Sequence, residues 1–216
     1  MDISGKRSKQ PTEVRQTSLV EAALKLAAQR SPADITTGDL AQVVGLTQGA
    51  VFRHFANKEA IWLAALDWTT DTLMTRLNVA ASAALTSLDA LRAVFMAHVD
   101  FVVAHPGVPR VIFQELQRAQ DTALKSRVRA LMLQYRILLA GLLQRAQTER
   151  LLAPGTDLQA AAVLFVGSIQ GLVMQSLISG DVNAMRVQAP GVFTIYLRGL
   201  SAADCGASAD NHIDHP

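Results

Sequence analysis

The stretch Thr36–Lys58, TTGDLAQVVGLTQGAVFRHFANK, leaves a chain few ways to fold. Thr36 and Asp39 are spaced as a capping box, with Asp in place of the more usual Glu, ahead of a helix whose apolar side is Leu40, Ala41 and Val44. Gly45 follows the last apolar position, where a helix end needs a residue tolerant of positive φ. Thr47 then caps a second helix, with Leu46 and Val51 placed as a hydrophobic staple. Two short helices joined by a turn of about three residues containing glycine form a helix-turn-helix.

In that arrangement the second helix enters the major groove of DNA and its first residues meet base edges. Here those residues are Thr47, Gln48, Gly49 and Ala50. Gln48 can both donate and accept, and Ala50 offers a methyl to a thymine methyl. Gly49 costs a helix about 1 kcal/mol relative to Ala, a cost explained by a backbone that approaches DNA closely. Phe52, Arg53 and His54 lie one turn on, toward the sugar-phosphate backbone, and Lys58 opens the next helix with a further phosphate contact. Thr36 and Thr37 begin the earlier helix, and the Thr37 hydroxyl beside free backbone N–H groups is a phosphate seat. Two alternatives stay open: Phe52 and Phe55 can belong to a core, and the head can bind protein instead of DNA, as a helical adaptor.

Composition is consistent with DNA without pointing to it. The formal net charge is only +2, so the motif has to identify the partner. Charge is uneven, with eight cations against three anions over residues 110–150 and two against five over 151–216. Ala and Leu are heavily used and aromatics are few, which favours helices over sheets. The lone Cys205 cannot form an internal disulfide, and the first residues lack an apolar run after their cations, so the cytoplasm is the expected compartment.

Apolar spacing of three and four marks a helix from Thr12 to about Arg30, ended by Ser31, Pro32 and Asp34. A helix of about 25 residues follows from Lys58. Further helices are expected over Leu91–Ala104, Arg110–Arg118, Asp121–Arg150, Leu158–Ile178 and Pro190–Leu200, with His105–Pro109 and Pro154–Asp157 as breaks. No strand pattern or internal repeat is present. The expected fold is all-α: a flexible basic arm (1–11, with Lys6, Arg7 and Lys9), a three-helix head (12–57, motif 36–55), a helical body (58–200) and a disordered tail (201–216). Leu158–Ile178 carries no formal charge and is long enough to span a membrane. Its recurring Gln and Ser residues and the lack of an aromatic or cationic belt favour a helix buried on both sides, with no membrane partner.

The run T-T-x-D-L-A-x-x-x-G-L-T-x-G-x-V-F-R-H-F-x-N-K-E resembles the N-terminal head of the TetR family of transcriptional regulators, over roughly residues 12–62. Phe52 stands where that family more often has tyrosine, and Gly38 where some members have a long base- or phosphate-reading side chain, so the first helix is expected to add less specificity. The resemblance implies a homodimer whose two heads read double-stranded DNA in major grooves about 34–36 Å apart, or a multiple of that. It implies a repressor released from a palindromic operator by a small-molecule effector held in the body. Candidate pocket residues are Trp62, Trp68, Met74, Phe95, Met96, His98, Phe101, Phe113, Gln114, Met132, Tyr135, Phe165 and Gln170, which suit an apolar or aromatic ligand with few polar anchors.

By the same resemblance the last two long helices pair subunits, through Leu164, Gly167, Ser168, Gly171, Leu172, Phe193 and Leu197. Gly167 and Gly171 lie on one face, and close packing within a subunit is the alternative for them. His98 and His105 share a helix face but have no acidic or thiol companion at ligand spacing, so no metal is expected. No cofactor-binding loop and no catalytic constellation is present, and an enzyme is not expected.

Overall fold

Most helices begin at a side chain that satisfies the free N–H groups of a first turn. In the computed structural model, which describes residues 12–201, Thr36, Thr47, Asn57, Thr86, Thr122 and Asp157 all do this. The helices they start or separate are α1 (Thr12–Ala27), α2 (Thr37–Val43), α3 (Gln48–Val51), α4 (Lys58–Ser82), α5 (Ser87–Ala104), α6 (Gly107–Leu116), α7 (Ala123–Thr148), α8 (Leu158–Ser179) and α9 (Ala184–Leu200). Among the described residues there is no strand. The arm expected at 1–11 and the tail expected beyond Ser201 lie outside the described residues.

Four boundaries differ from the sequence expectation. α3 is one α-turn, and Phe52, Arg53 and His54 continue it as turns. α5 starts at Ser87, because Thr86 accepts from the Asp89 N–H and the polar break is itself the cap. α6 starts at Gly107, not Arg110. Pro106 is its cap and Pro109 sits in its first turn, where a missing N–H has no helical partner to lose. α9 starts at Ala184, ahead of Pro190: buried Met185, Ala189 and Phe193 hold the turns on either side of the proline to the core.

α4 is the spine. It packs against α1 in the head and against α5 and α7 in the body. α8 and α9 pack together and against α7 and α5. An aromatic cluster ties α5, α8 and α9, with Phe95 5.3 Å from both Phe165 and Phe193, and Phe165 5.5 Å from Tyr196. α8 is long and apolar enough to cross a membrane, but the sequence expectation of a helix buried on both sides is not met. Phe165, Ile169 and Val173 are buried, whereas Val163 and Ile178 are 67% and 73% exposed.

At one point head and body approach backbone to backbone. A Cβ built on Gly107 at the start of α6 would lie 2.0 Å from the Leu24 carbonyl oxygen of α1 and 2.9 Å from the Ala28 nitrogen. Only glycine fits there. Gly107→Ala is expected to destabilise the chain by about 1–3 kcal/mol, as overpacking does. Gly141→Ala, whose Cβ meets open space on α7, should be neutral or mildly stabilising. Denaturation midpoints of the two variants check this; equal midpoints would remove the close contact.

Candidate functional site

The head is built by local hydrogen bonds. The Asp39 N–H donates to Thr36 Oγ1 at 3.1 Å, and the Thr36 N–H donates to Asp39 Oδ2 at 2.7 Å, completing the expected capping box. Arg30 lies 2.9 Å from the same carboxylate. The Thr36 N–H first, then the Thr36 hydroxyl and Arg30, hold Asp39 down to about 2. α2 ends in a Schellman motif, with Gly45 at φ 68, Gly45 N–H donating to Gln42 and Leu46 N–H donating to Ala41 at 2.8 Å. The Ala50 N–H then donates to Thr47 Oγ1, and α3 begins.

Gln48 Nε2 donates to Thr37 Oγ1 at 2.9 Å, which ties the start of α3 to the start of α2. Gln48 Oε1 has no partner among the described residues. The two phenylalanines separate: Phe55 is core, whereas Phe52 is 48% exposed beside exposed Arg53. His54 is half-buried, and its carbonyl accepts from Gln16 Nε2 of α1, locking the end of α3 in place. Thr36, Thr47 and Gly49 are exposed, and Gly38 and Ala50 are half-buried. Lys58 is arranged differently from the expected phosphate contact. Its Nζ donates to the Ala33 carbonyl at 2.9 Å, closing the 3-10 turn Pro32–Asp34, and burial lowers its pKa against the pull of Asp34 and Asp39.

The body encloses a cavity of about 700 Å³ between α4, α5, α6, α7 and α8. Its walls are aliphatic for the most part, with Val108, Ile112, Val128, Val166, Ile169 and Val173 among them. Gln144, Gln159, Gln170, Arg129 and Arg136 also line it but are exposed, and so stand at its open side. Deeper in, His98 Nδ1 lies 3.0 Å from the hydroxyl of fully buried Tyr135. Burial pushes His98 down to about 4 and raises the Tyr135 phenol, so both are neutral near pH 7. Among the described residues no cluster of three or more His, Cys, Asp or Glu residues could hold a metal ion.

Residues 19–65 match the profile of "Bacterial regulatory proteins, tetR family", and residues 84–190 match "Tetracyclin repressor-like, C-terminal domain". The chain belongs to the TetR family of transcriptional regulators. A curated relative, the nucleoid occlusion factor SlmA of Idiomarina loihiensis, is 28% identical over 94 residues; the match covers 44% of this chain and 48% of the relative, about half its length. Among solved structures, Bacillus subtilis FadR in complex with stearoyl-CoA superposes with a TM-score of 0.74 at 17% identity, covering 85% of this chain and 98% of that one. The ketosteroid regulator KstR2 of Mycobacterium tuberculosis gives 0.73 at 22% identity, covering 93% and 99%. At such identities the likeness is one of fold.

Within this TetR-family chain the cavity takes in His98, Phe101, Phe113, Met132, Tyr135 and Gln170 from the residues named on sequence. The others lie elsewhere. Phe95 and Phe165 belong to the aromatic cluster. Trp68 stacks edge-on against His105 at 5.0 Å, Trp62 and Met74 are buried in the core, and Met96 packs against it. Gln114 turns toward the head, its Oε1 accepting from the Ala33 N–H at 3.1 Å. Aromatics and methionines drew the sequence reading, while the aliphatic walls had no signal separating them from core.

His98 carries a pH signature. Its folded-state value lies below the ordinary 6.5, so as pH falls the unfolded chain takes up this proton before the native one does. Its effect on stability is nil above about 6.5, and native stability is lost as pH drops from there toward 4. Unfolding midpoints measured across that window should fall more steeply for the native sequence than for His98→Gln. Parallel curves would mean that the ring is not desolvated.

Proposed function

We propose that this TetR-family chain is a homodimeric, cytoplasmic repressor that leaves a palindromic operator when a small, largely apolar ligand fills the body cavity. The observation that carries the reading is the double role of α6. Val108, Pro109, Ile112, Phe113 and Leu116 of this one helix line the cavity. The same helix meets the head at Gly107, against the Leu24 carbonyl, and at Gln114, which binds the Ala33 N–H. A ligand that displaces α6 therefore moves backbone that α1 rests on and the loop that Lys58 closes. Swinging operator occupancy from nearly full to nearly empty requires a preference for the released state of about 5.5 kcal/mol.

The cavity's shape and lining suit a long or bulky apolar ligand. Fold neighbours, FadR in complex with stearoyl-CoA and the ketosteroid regulator KstR2, point the same way. For pairing, the outward side of α8 and α9 is apolar and small. Leu164, Gly167, Gly171 and Ile178 are exposed on α8, and Val187, Gly191, Ile195 and Gly199 recur every fourth residue on α9. Cβ positions at Gly167, Gly171, Gly191 and Gly199 meet nothing within 4 Å, which leaves room for a partner helix. Of the interface residues expected from sequence, Leu172 and Phe193 are buried in this chain's own core, and Ser168 and Leu197 are half-buried.

On the head, Gln48, Gly49, Ala50, Phe52 and Arg53 are the residues we assign to DNA, with Thr36, Thr37, Gly38, Thr47 and His54 beside them. Binding of the purified protein to a palindromic fragment from its own upstream region, measured across salt, tests the reading. Gln48→Ala should cost about 1–3 kcal/mol on the preferred sequence and relax base preference. Arg53→Ala should weaken all sequences alike and flatten the salt slope by about one. Indifference to DNA even at low salt would favour the adaptor reading instead. Ile195→Glu should leave a monomer in sedimentation and lose the palindrome, and Gln114→Ala should retain operator binding while blunting ligand release.

A further inference from the structure

The cavity's interior is poor in polar groups, and the few present are committed in one direction. Thr69 lines it, but its hydroxyl already donates to the Ala65 carbonyl at 2.7 Å. The glutamines and arginines of the lining are exposed and stand at the opening. That leaves the pair of Tyr135 and His98, with the hydroxyl and Nδ1 3.0 Å apart.

The direction of that bond follows from what the hydroxyl can reach. Tyr135 is fully buried, and its oxygen has no other partner among the described residues. A buried O–H that donates to nothing costs about 1–3 kcal/mol. The Tyr135 proton therefore points at His98 Nδ1, which accepts. A neutral imidazole that accepts at Nδ1 carries its own proton on Nε2. His98 Nε2 has no protein partner among the described residues, yet it is not sealed into the packing as His54 Nδ1 and His105 Nε2 are. It opens on the cavity that His98 lines. Burial of the ring and of the phenol keeps both groups neutral and the arrangement fixed.

We propose that His98 is the specificity residue of the cavity, and that Tyr135 fixes its tautomer so that Nε2–H meets one acceptor oxygen, of carbonyl type, on an otherwise apolar and uncharged ligand. This rests on the reading of the cavity as a ligand site, and sharpens it. A hydrocarbon leaves the Nε2–H unpaired. An ammonium or other donor meets a hydrogen where it needs a lone pair.

Matched volatile probes test this directly: cyclooctanone and cyclooctane, with affinities for the full-length protein taken from headspace partitioning. His98→Leu should weaken cyclooctanone about tenfold and leave cyclooctane within about twofold, as expected for one neutral hydrogen bond. His98→Gln, whose amide nitrogen reaches toward the place of Nε2, should recover most of the ketone affinity. His98→Asn, which reproduces the position of Nδ1, should not. Thermal melts confirm that each variant is folded, and the Gln variant keeps the test open should the Leu variant unfold.

The assignment is overturned if His98→Leu shifts both probes equally, or if Gln and Asn variants behave alike. Should neither probe bind the native sequence, the cavity is not a site for apolar ligands, and the reading beneath this one falls with it. Binding of both probes with no selective effect at His98 removes only the present inference.

Discussion

Where α6 begins, its backbone lies against the backbone of α1 with no side chain between them. Gly107 makes this possible, since even a methyl would overlap the Leu24 carbonyl. A contact of this kind has little compliance, because packed backbone cannot absorb displacement by changing rotamers. The head's position relative to the body therefore depends on where α6 sits, together with the packing of α4 against α1. α6 in turn sits where the cavity walls allow. Gln114 adds a second point, an amide oxygen bound to the loop that Lys58 closes. Force delivered to the cavity side of α6 has a short, stiff route to α1 and to the entrance of α2.

The polar economy of the body complements this. The cavity is lined by Val, Ile, Leu and Met, and its inner polar groups are neutral, so it makes no demand for a counter-charge on whatever enters. A charged group buried there without a partner would cost heavily. The positive charges in its lining stand at the opening: Arg129 is held by Asp121 at 2.7 Å, and Arg136 is exposed. On the proposed reading, selection of a ligand then falls to size and to one directed N–H.

Much of the head was legible in the sequence because its signals are local. A hydroxyl three residues before an acidic side chain, a glycine after the last apolar position and a second hydroxyl cap each act within one turn of chain. Thr36, Gly45 and Thr47 occupy the geometry their spacing implied. The family likeness extended that reading to the body's general plan. The cavity was half legible: His98 and Tyr135 stand out chemically, but Val108, Ile112 and Val173 are indistinguishable from core until the path of α6 leaves a gap beside them. Gly107 was read only as a break, because a close approach between distant segments leaves no mark on neighbouring residues. Pro190 hid the first turns of α9 for the opposite reason, a local signal overruled by the burial of Met185 and Ala189.

The hydrogen bond between Gln48 and Thr37 has a bearing on which bases the head tolerates. A carboxamide nitrogen carries two hydrogens, so with one donated to Thr37 the other, and the oxygen of Gln48, stay open. On the proposed DNA reading, the oxygen can accept from the exocyclic amino groups of adenine and cytosine, and the remaining N–H can donate to the keto oxygens of guanine and thymine. What the bond to Thr37 removes is rotation, since the two groups are held in one orientation instead of turning to suit the base. On that reading, base preference depends on which of the two meets the base edge, a choice made by a contact inside the protein before any DNA arrives.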